Sequence, residues 1–314
     1  MRAVGIYEFG GPEQLQVLDL SEPHPGPGQI RIRVHAAGVN PADTVIRAGR
    51  RGRPEWDPPY VLGMDAAGVI DEVGPGASWR AGVRVMVATA QGTMAVGGGS
   101  YADWVVVAAE AAAAIPSGLH FTDAATLPMN GLTARDIVDR LDLQPGATIA
   151  VIGAAGAVGA YVIQLAKAER LRVIADAADN DEVLVRSFGA DEVVRRGPEV
   201  AERIREVEPN GVDALVDAAV LGEAVVPAIR TGGRLAVVRP WEGPEPGRGI
   251  SVLRARVDLR LTDGDALDRL RQQVDKGVLS PLRTRAMAPE QAAEAHRLLA
   301  AGGLRERLIL DFSL

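Results

Sequence analysis

The sequence predicts an α/β chain, with a β-rich first third followed by a doubly wound parallel sheet. Three observations carry that prediction. Short apolar stretches with strand period, punctuated by Gly and Pro, fill the chain up to about residue 120. Beyond that point strand patterns alternate with helix patterns. At the first such alternation, Gly153, Gly156 and Gly159 stand between a buried apolar run and an apolar helix pattern.

In the first third, residues 15–20 read as a strand, followed by a Pro/Gly cluster at 23–28 and a second strand at 30–34, where apolar and basic residues alternate. Residues 69–73 end in the turn Gly74-Pro75-Gly76, and 83–87 alternate again. The alanine-rich stretch 108–114 has helical propensity, but it is short and lies between Val105–Val107 and Ile115-Pro116, so it reads as strand–turn–strand. Residues 123–127 and 133–141 read as helices. A strand follows at 148–152, then the glycine turn and a helix through Ala168. Further strands are expected at 172–175, 193–194, 214–216 and 234–238 with helical segments between them, one of which spans 181–188 and is stopped by Gly189. The tail carries helices at 265–276 and 289–301 and a last strand at 307–311.

At 314 residues the chain exceeds the size of a typical single core, so two domains are expected. Lys and Arg number 34 against 41 Asp and Glu, a net charge of -7 that speaks against a nucleic-acid footprint. There are no cysteines, which excludes disulfides, a thiolate nucleophile and sulfur-ligated zinc. The four histidines, His24, His35, His120 and His296, are far apart and have no carboxylates at ligand spacing. His35 reads as the end of a strand and His296 as part of a helix, both in packing or surface roles. Neither a signal peptide nor a membrane-spanning run is seen, so a cytoplasmic protein is expected.

The segment AVIGAAGAVGAYVIQL (150–165) is the most informative. Small residues there let the backbone turn sharply and approach a pyrophosphate, whose charge meets the free N–H groups of the following helix. Gly153, Ala154, Ala155, Gly156, Ala157, Val158 and Gly159 are therefore candidate dinucleotide contacts.

With that turn in place, the chain resembles the zinc-independent quinone oxidoreductase branch of the medium-chain dehydrogenase/reductase family. The resemblance rests on HAAGVNPADTVIRAG (35–49), LGMDAAGVIDEVGPG (62–76), AATLPMNGLTA (124–134), VIGAAGAVGAYVIQLAK (151–167), RSFGADEVV (186–194) and AAEAHRLLAAG (292–302), in order along the whole chain. It implies a GroES-like catalytic domain over 1–120, completed by 265–314, with a Rossmann dinucleotide-binding domain inserted at 121–264. It also implies a homodimer or homotetramer paired through the Rossmann sheet and a small-molecule substrate, while the acidic balance and the lack of a spanning apolar run speak against nucleic-acid and membrane partners.

The same resemblance places Asn40, Asp43 and Thr44 at the mouth of an active-site cleft, with Leu127, Asn130 and Thr133 lining the nicotinamide pocket. Asn40 and Thr133 would polarise a carbonyl and orient the carboxamide, while Val238 and Arg307 would approach the cofactor. Read locally, Asn40-Pro41-Ala42-Asp43 is equally a turn with a helix N-cap. Three departures stand out. Val45 replaces an aromatic that supplies a proton in relatives, leaving water or an Asp43 of raised pKa. Ala178 and Asn180 replace the hydroxyl and basic residues that hold a 2′-phosphate, and Asp176, Asp179 and Asp181 surround them. Asp176, about 20 positions beyond the glycines, suits a ribose 2′-hydroxyl, which favours NADH over NADPH. Glu306-Arg307 replaces a Gly-Lys pair, and an arginine fork does not mimic a lysine point charge.

The expected activity is hydride transfer from NAD(P)H to a quinone or an α,β-unsaturated carbonyl without metal. The alternative is a dinucleotide-binding protein with little redox turnover, in a regulatory or non-redox biosynthetic role.

Overall fold

The computed structural model describes residues 1–50, 57–89 and 99–314. They form two compact units, one of Met1–Met129, Asp258–Lys276 and Ser280–Leu314, the other of Asn130–Val257 and Gly277–Leu279. The breaks thus fall after Met129 and Val257, against expected breaks at 120 and 264.

The first unit opens with β1 (Arg2–Ile6) and β2 (Gln16–Asp19), then β3 (Gln29–Gly38), α1 (Pro41–Arg47), β4 (Tyr60–Val61), β5 (Asp65–Val73) and β6 (Arg84–Ala88). β7 (Trp104–Ala108) and β8 (Ala112–Ala114) follow, joined by a 3-10 turn at Ala109–Ala111, as the β-branched flanks of that alanine stretch require. α2 (Phe121–Ala124) is a single turn, and α3 (Pro128–Leu141), which belongs to the second unit from Asn130 onward, starts on a proline, whose fixed φ suits a first helical position. β3 runs four residues beyond the expected end because its second half pairs with β5 and with a strand from the tail, so His35 lies inside the strand. A small sheet, β2-β1-β4, closes one side.

The second unit contains β9 (Thr148–Ile152), α4 (Ala157–Ala168), β10 (Arg172–Ala177), α5 (Glu182–Ser187), β11 (Glu192–Arg195), α6 (Val200–Val207), β12 (Val212–Asp217), β13 (Ile229–Val237) and β14 (Ser251–Arg254). The strand order is β11-β10-β9-β12-β13-β14 and every pairing is parallel. This is the doubly wound order, with its switch point between β9 and β12. All five residues of β9 are buried, as a central strand covered on both faces demands. Between β12 and β13 the chain forms a 3-10 segment, Gly222–Ala228, in place of the expected helix, with Pro227 inside it.

The tail supplies α7 (Gly264–Asp275), β15 (Thr284–Met287), α8 (Ala292–Ala301) and β16 (Arg307–Asp311). β16 pairs antiparallel with β3, Ile309 opposite Gly38, and so completes the first unit's larger sheet. Val34, Ile70, Val85, Ala295 and Leu310 share that unit's core. Among the described residues no helix is long and apolar enough to cross a membrane.

Candidate active-site elements

The glycine turn connects β9 to α4. Gly153 has φ +79°, a left-handed conformation that favours glycine. A Cβ on Gly159 would lie 2.4 Å from the Gly153 carbonyl oxygen and 2.8 Å from the Ala154 Cα, so only hydrogen lets helix and turn close. Gly156 differs: it is exposed, its φ of -83° suits any residue, and a Cβ there would meet only the Gly153 oxygen at 3.1 Å. That Cβ would fill the open side of the turn. Gly156 caps α4 without a side-chain hydrogen bond, and the first N–H groups of the helix, at Ala157 and Val158, have no intrahelical acceptor. Ala155 and Val158 are half-buried. The cradle fits a pyrophosphate.

Asp176, near the end of β10, sits inside this turn. Its Oδ1 accepts from the Gly153 N–H at 2.7 Å and the Ala154 N–H at 3.0 Å. Burial raises its pKa, while those two bonds and the Arg196 guanidinium pull it back. The expected ribose ligand is thus engaged through one oxygen in bracing the turn. On the other side of β9, Asp217 accepts from Ala219 N–H at 3.2 Å and Gly222 N–H at 2.8 Å. Val238 follows the last residue of β13 directly. Asn130, buried, and Thr133, half-buried, lie three residues apart on α3 and therefore share a face.

In the first unit a buried polar cluster gathers residues distant in sequence. Asn40 caps α1 and Asp43, three residues on, accepts from the Asn40 N–H at 2.8 Å. The local reading of this segment as a helix start therefore describes it. Asp43 does not line a cleft mouth: it is 0% exposed, and its Oδ2 also accepts from the Tyr101 hydroxyl at 3.1 Å. Its Oδ1 is buried without a hydrogen-bond partner. Thr44 turns its hydroxyl back to the Pro41 carbonyl. The Asn40 side chain is held at both ends: Nδ2 donates to Asp65 Oδ2 at 2.6 Å, and Oδ1 accepts from Arg307 Nη2 at 2.9 Å. Asp65 also accepts from the Met129 N–H at 2.6 Å. Arg307 is buried, and its Nε has no partner.

Burial raises Asp43 to about 7, opposed by the Asn40 and Tyr101 bonds and reinforced by Asp65. Burial raises Asp65 to about 6, opposed by Arg307. A second arm runs from Tyr101 to His296 Nε2 at 3.4 Å, and from His296 Nδ1 to Arg47 Nη1 at 3.1 Å. Burial, with Arg47 alongside, pushes His296 down to about 3, so the ring is neutral. Asp65, Tyr101 and Arg47 escaped the sequence reading, and His296, read as a helical residue in a packing or surface role, is buried on α8 within this cluster. The available signal was an acid inside the apolar run LGMDAAGVI.

Known proteins place this combination. Residues 26–117 match the alcohol dehydrogenase GroES-like domain, and residues 157–256 match the family described as zinc-binding dehydrogenase. Human quinone oxidoreductase is 34% identical over 246 residues, 76% of this chain and 73% of that protein. The chain belongs to the quinone oxidoreductase branch of the medium-chain dehydrogenase/reductase family. Quinone oxidoreductase of Pseudomonas aeruginosa is 29% identical over 313 residues, 93% of this chain and 94% of that one. A crystal structure of an NAD-dependent alcohol dehydrogenase superposes with TM-score 0.87 at 32% identity, covering 99% of both chains. That of the Pseudomonas syringae pv. Tomato DC3000 quinone oxidoreductase, at 24% identity and TM-score 0.88, also covers 99% of both and shares the fold. This medium-chain dehydrogenase/reductase member is accordingly an NAD(P)H-dependent oxidoreductase with a small-molecule substrate. Among its described residues no group of three or more His, Asp or Glu side chains is placed to hold a metal ion.

Proposed function

We propose that this quinone oxidoreductase relative transfers hydride from NAD(P)H to a quinone or to an alkene conjugated with a carbonyl, without a metal. The observation that carries the reading is the open, uncapped α4 N-terminus behind Gly156. Ala157 and Val158 N–H groups hold the pyrophosphate there, and Asn130 and Thr133 orient the nicotinamide carboxamide. The bound nicotinamide supplies the hydride. Independence from zinc is supported by the absence of cysteine.

Arg307 is a buried cation beside Asn40, its Nη2 donating to the Asn40 Oδ1 at 2.9 Å. Asn40 itself, with Asp65 and Arg307 on its two ends, positions that cation. Asp43 is enclosed and accepts two bonds on one oxygen, which leaves water as the proton source. NADH is favoured modestly over NADPH, because the loop after β10 presents the exposed Asp179 and carries no Lys or Arg. The NAD-dependent alcohol dehydrogenase among the structural relatives supports this preference. The edge strand β14 supports a homodimer formed by sheet continuation.

The test is the decay of NADH or NADPH fluorescence on addition of a panel of quinones and enones. Turnover with any of them is expected. Nucleotide binding with no turnover across the panel would favour the alternative, a dinucleotide-binding protein with little redox activity.

A further inference from the structure

No Lys or Arg occurs in the loop after β10, yet the C-terminal end of β11 brings two arginines beside it. Ala177 pairs with Arg195 across the parallel ladder, and the Arg196 N–H donates to the Ala177 carbonyl at 2.8 Å. Arg203 of α6 donates from Nη1 to the carbonyls of Arg195 at 2.8 Å and Arg196 at 3.4 Å. Its Nη2 is tied to Glu199. The backbone of the arginine pair is therefore held, while both residues stay exposed. Arg195 Nε lies 3.3 Å from Asp179 Oδ1, with side chains 70% and 77% exposed. Arg196 acts instead on Asp176, the acid braced in the glycine turn.

Ligands of open α/β sheets lie outside the carboxyl ends of the strands, and here the ends of β9, β10 and β11 converge on that position. We propose that the Asp179–Arg195 ion pair sets the choice between the two nicotinamide dinucleotides. Closed, it withholds one guanidinium and presents a carboxylate, conditions that suit a free ribose 2′-hydroxyl. Open, it releases Arg195 to join Arg196 in gripping a 2′-phosphate with planar, bidentate donors. Exposed pairs hold by no more than about fivefold in an equilibrium constant. The selectivity is accordingly shallow, and it weakens as salt screens the pair.

The inference rests on the dinucleotide reading above, and its test separates the two. The full chain is titrated calorimetrically with 5′-AMP and with adenosine 2′,5′-bisphosphate, for the wild type, Asp179→Asn, Arg195→Gln and the double variant. Asp179→Asn is expected to raise the ratio of bisphosphate to 5′-AMP affinity about tenfold, from loss of a repelling charge together with release of a guanidinium. Most of that gain should vanish when Arg195 is also replaced. A ratio that does not rise in Asp179→Asn, or rises equally in the double variant, overturns the ion-pair mechanism while leaving the dinucleotide site intact. A wild type that binds neither nucleotide overturns both.

Discussion

Replacing Asp43 by Asn turns the enclosed carboxyl into a measurable pH dependence. Asp43 is 0% exposed, and burial raises it from 3.8 to about 7. A group whose folded pKa lies above its unfolded value holds its proton longer in the native state. Its stabilising contribution is complete below pH 3.8 and is lost as the pH climbs through 7. At ~1.4 kcal/mol per pH unit, the interval above pH 5 corresponds to about 3 kcal/mol lost from the first unit by pH 9. Asp65, raised from 3.8 to about 6, loses a further ~1 kcal/mol over the same range. Asparagine is nearly isosteric with the protonated acid, and its carbonyl can accept from the Asn40 N–H and the Tyr101 hydroxyl. The wild type should therefore lose about 4 kcal/mol between pH 5 and pH 9, and Asp43→Asn only about 1. The assay is urea unfolding in a Trp56→Phe, Trp241→Phe background, where the remaining tryptophans, Trp79 and Trp104, report on the first unit. A variant that loses as much stability as the wild type would show that Asp43 titrates like a solvated acid and refute the argument from burial.

Gly156→Val should weaken nucleotide binding more than tenfold by calorimetry while shifting the melting temperature little, since the added side chain fills the open side of the turn. Gly159→Ala should instead destabilise the second unit by about 2–3 kcal/mol, read by urea unfolding with Trp241 of that unit retained, because its Cβ would overlap the Gly153 carbonyl. Arg307→Met removes the cation beside two buried carboxyls and should cost about 3 kcal/mol at pH 8, and clearly less at pH 5, where both hold their protons. Sedimentation should return a mass twice 33.0 kDa; a monomer at micromolar concentration would remove the role given to β14.

The parts of the molecule legible in the sequence are those whose cause is local. β9 and β16 occupy the expected residues 148–152 and 307–311, because an unbroken apolar run has few other uses. The glycine turn was equally plain, since a left-handed residue and a close helix contact restrict the residue type wherever they occur. β1, β4, β14 and β15 went unseen: they are two to five residues long, too short for an alternating pattern to stand out from the surrounding chain. The polar cluster was half legible. Asn40 and Asp43 announce a helix cap, but nothing near Tyr101 or His296 reveals that the fold brings them together across 195 residues. Asp176 was found through its spacing from the glycines, and its bond to the turn became visible only once β9 and β10 lay side by side.

The row from Arg47 to Asp43 has a direction. A guanidinium can only donate, so its contact with His296 leaves Nδ1 bare and puts the ring's single proton on Nε2. Nε2–H then points to the Tyr101 oxygen, and the tyrosine proton is left with Asp43 as its acceptor. Each member selects the orientation of the next, so the row has one proton arrangement and no mirror image of it. The choice of imidazole tautomer at one end is in this way read out as the orientation of a hydroxyl at the other, beside the helix that begins at Asn40.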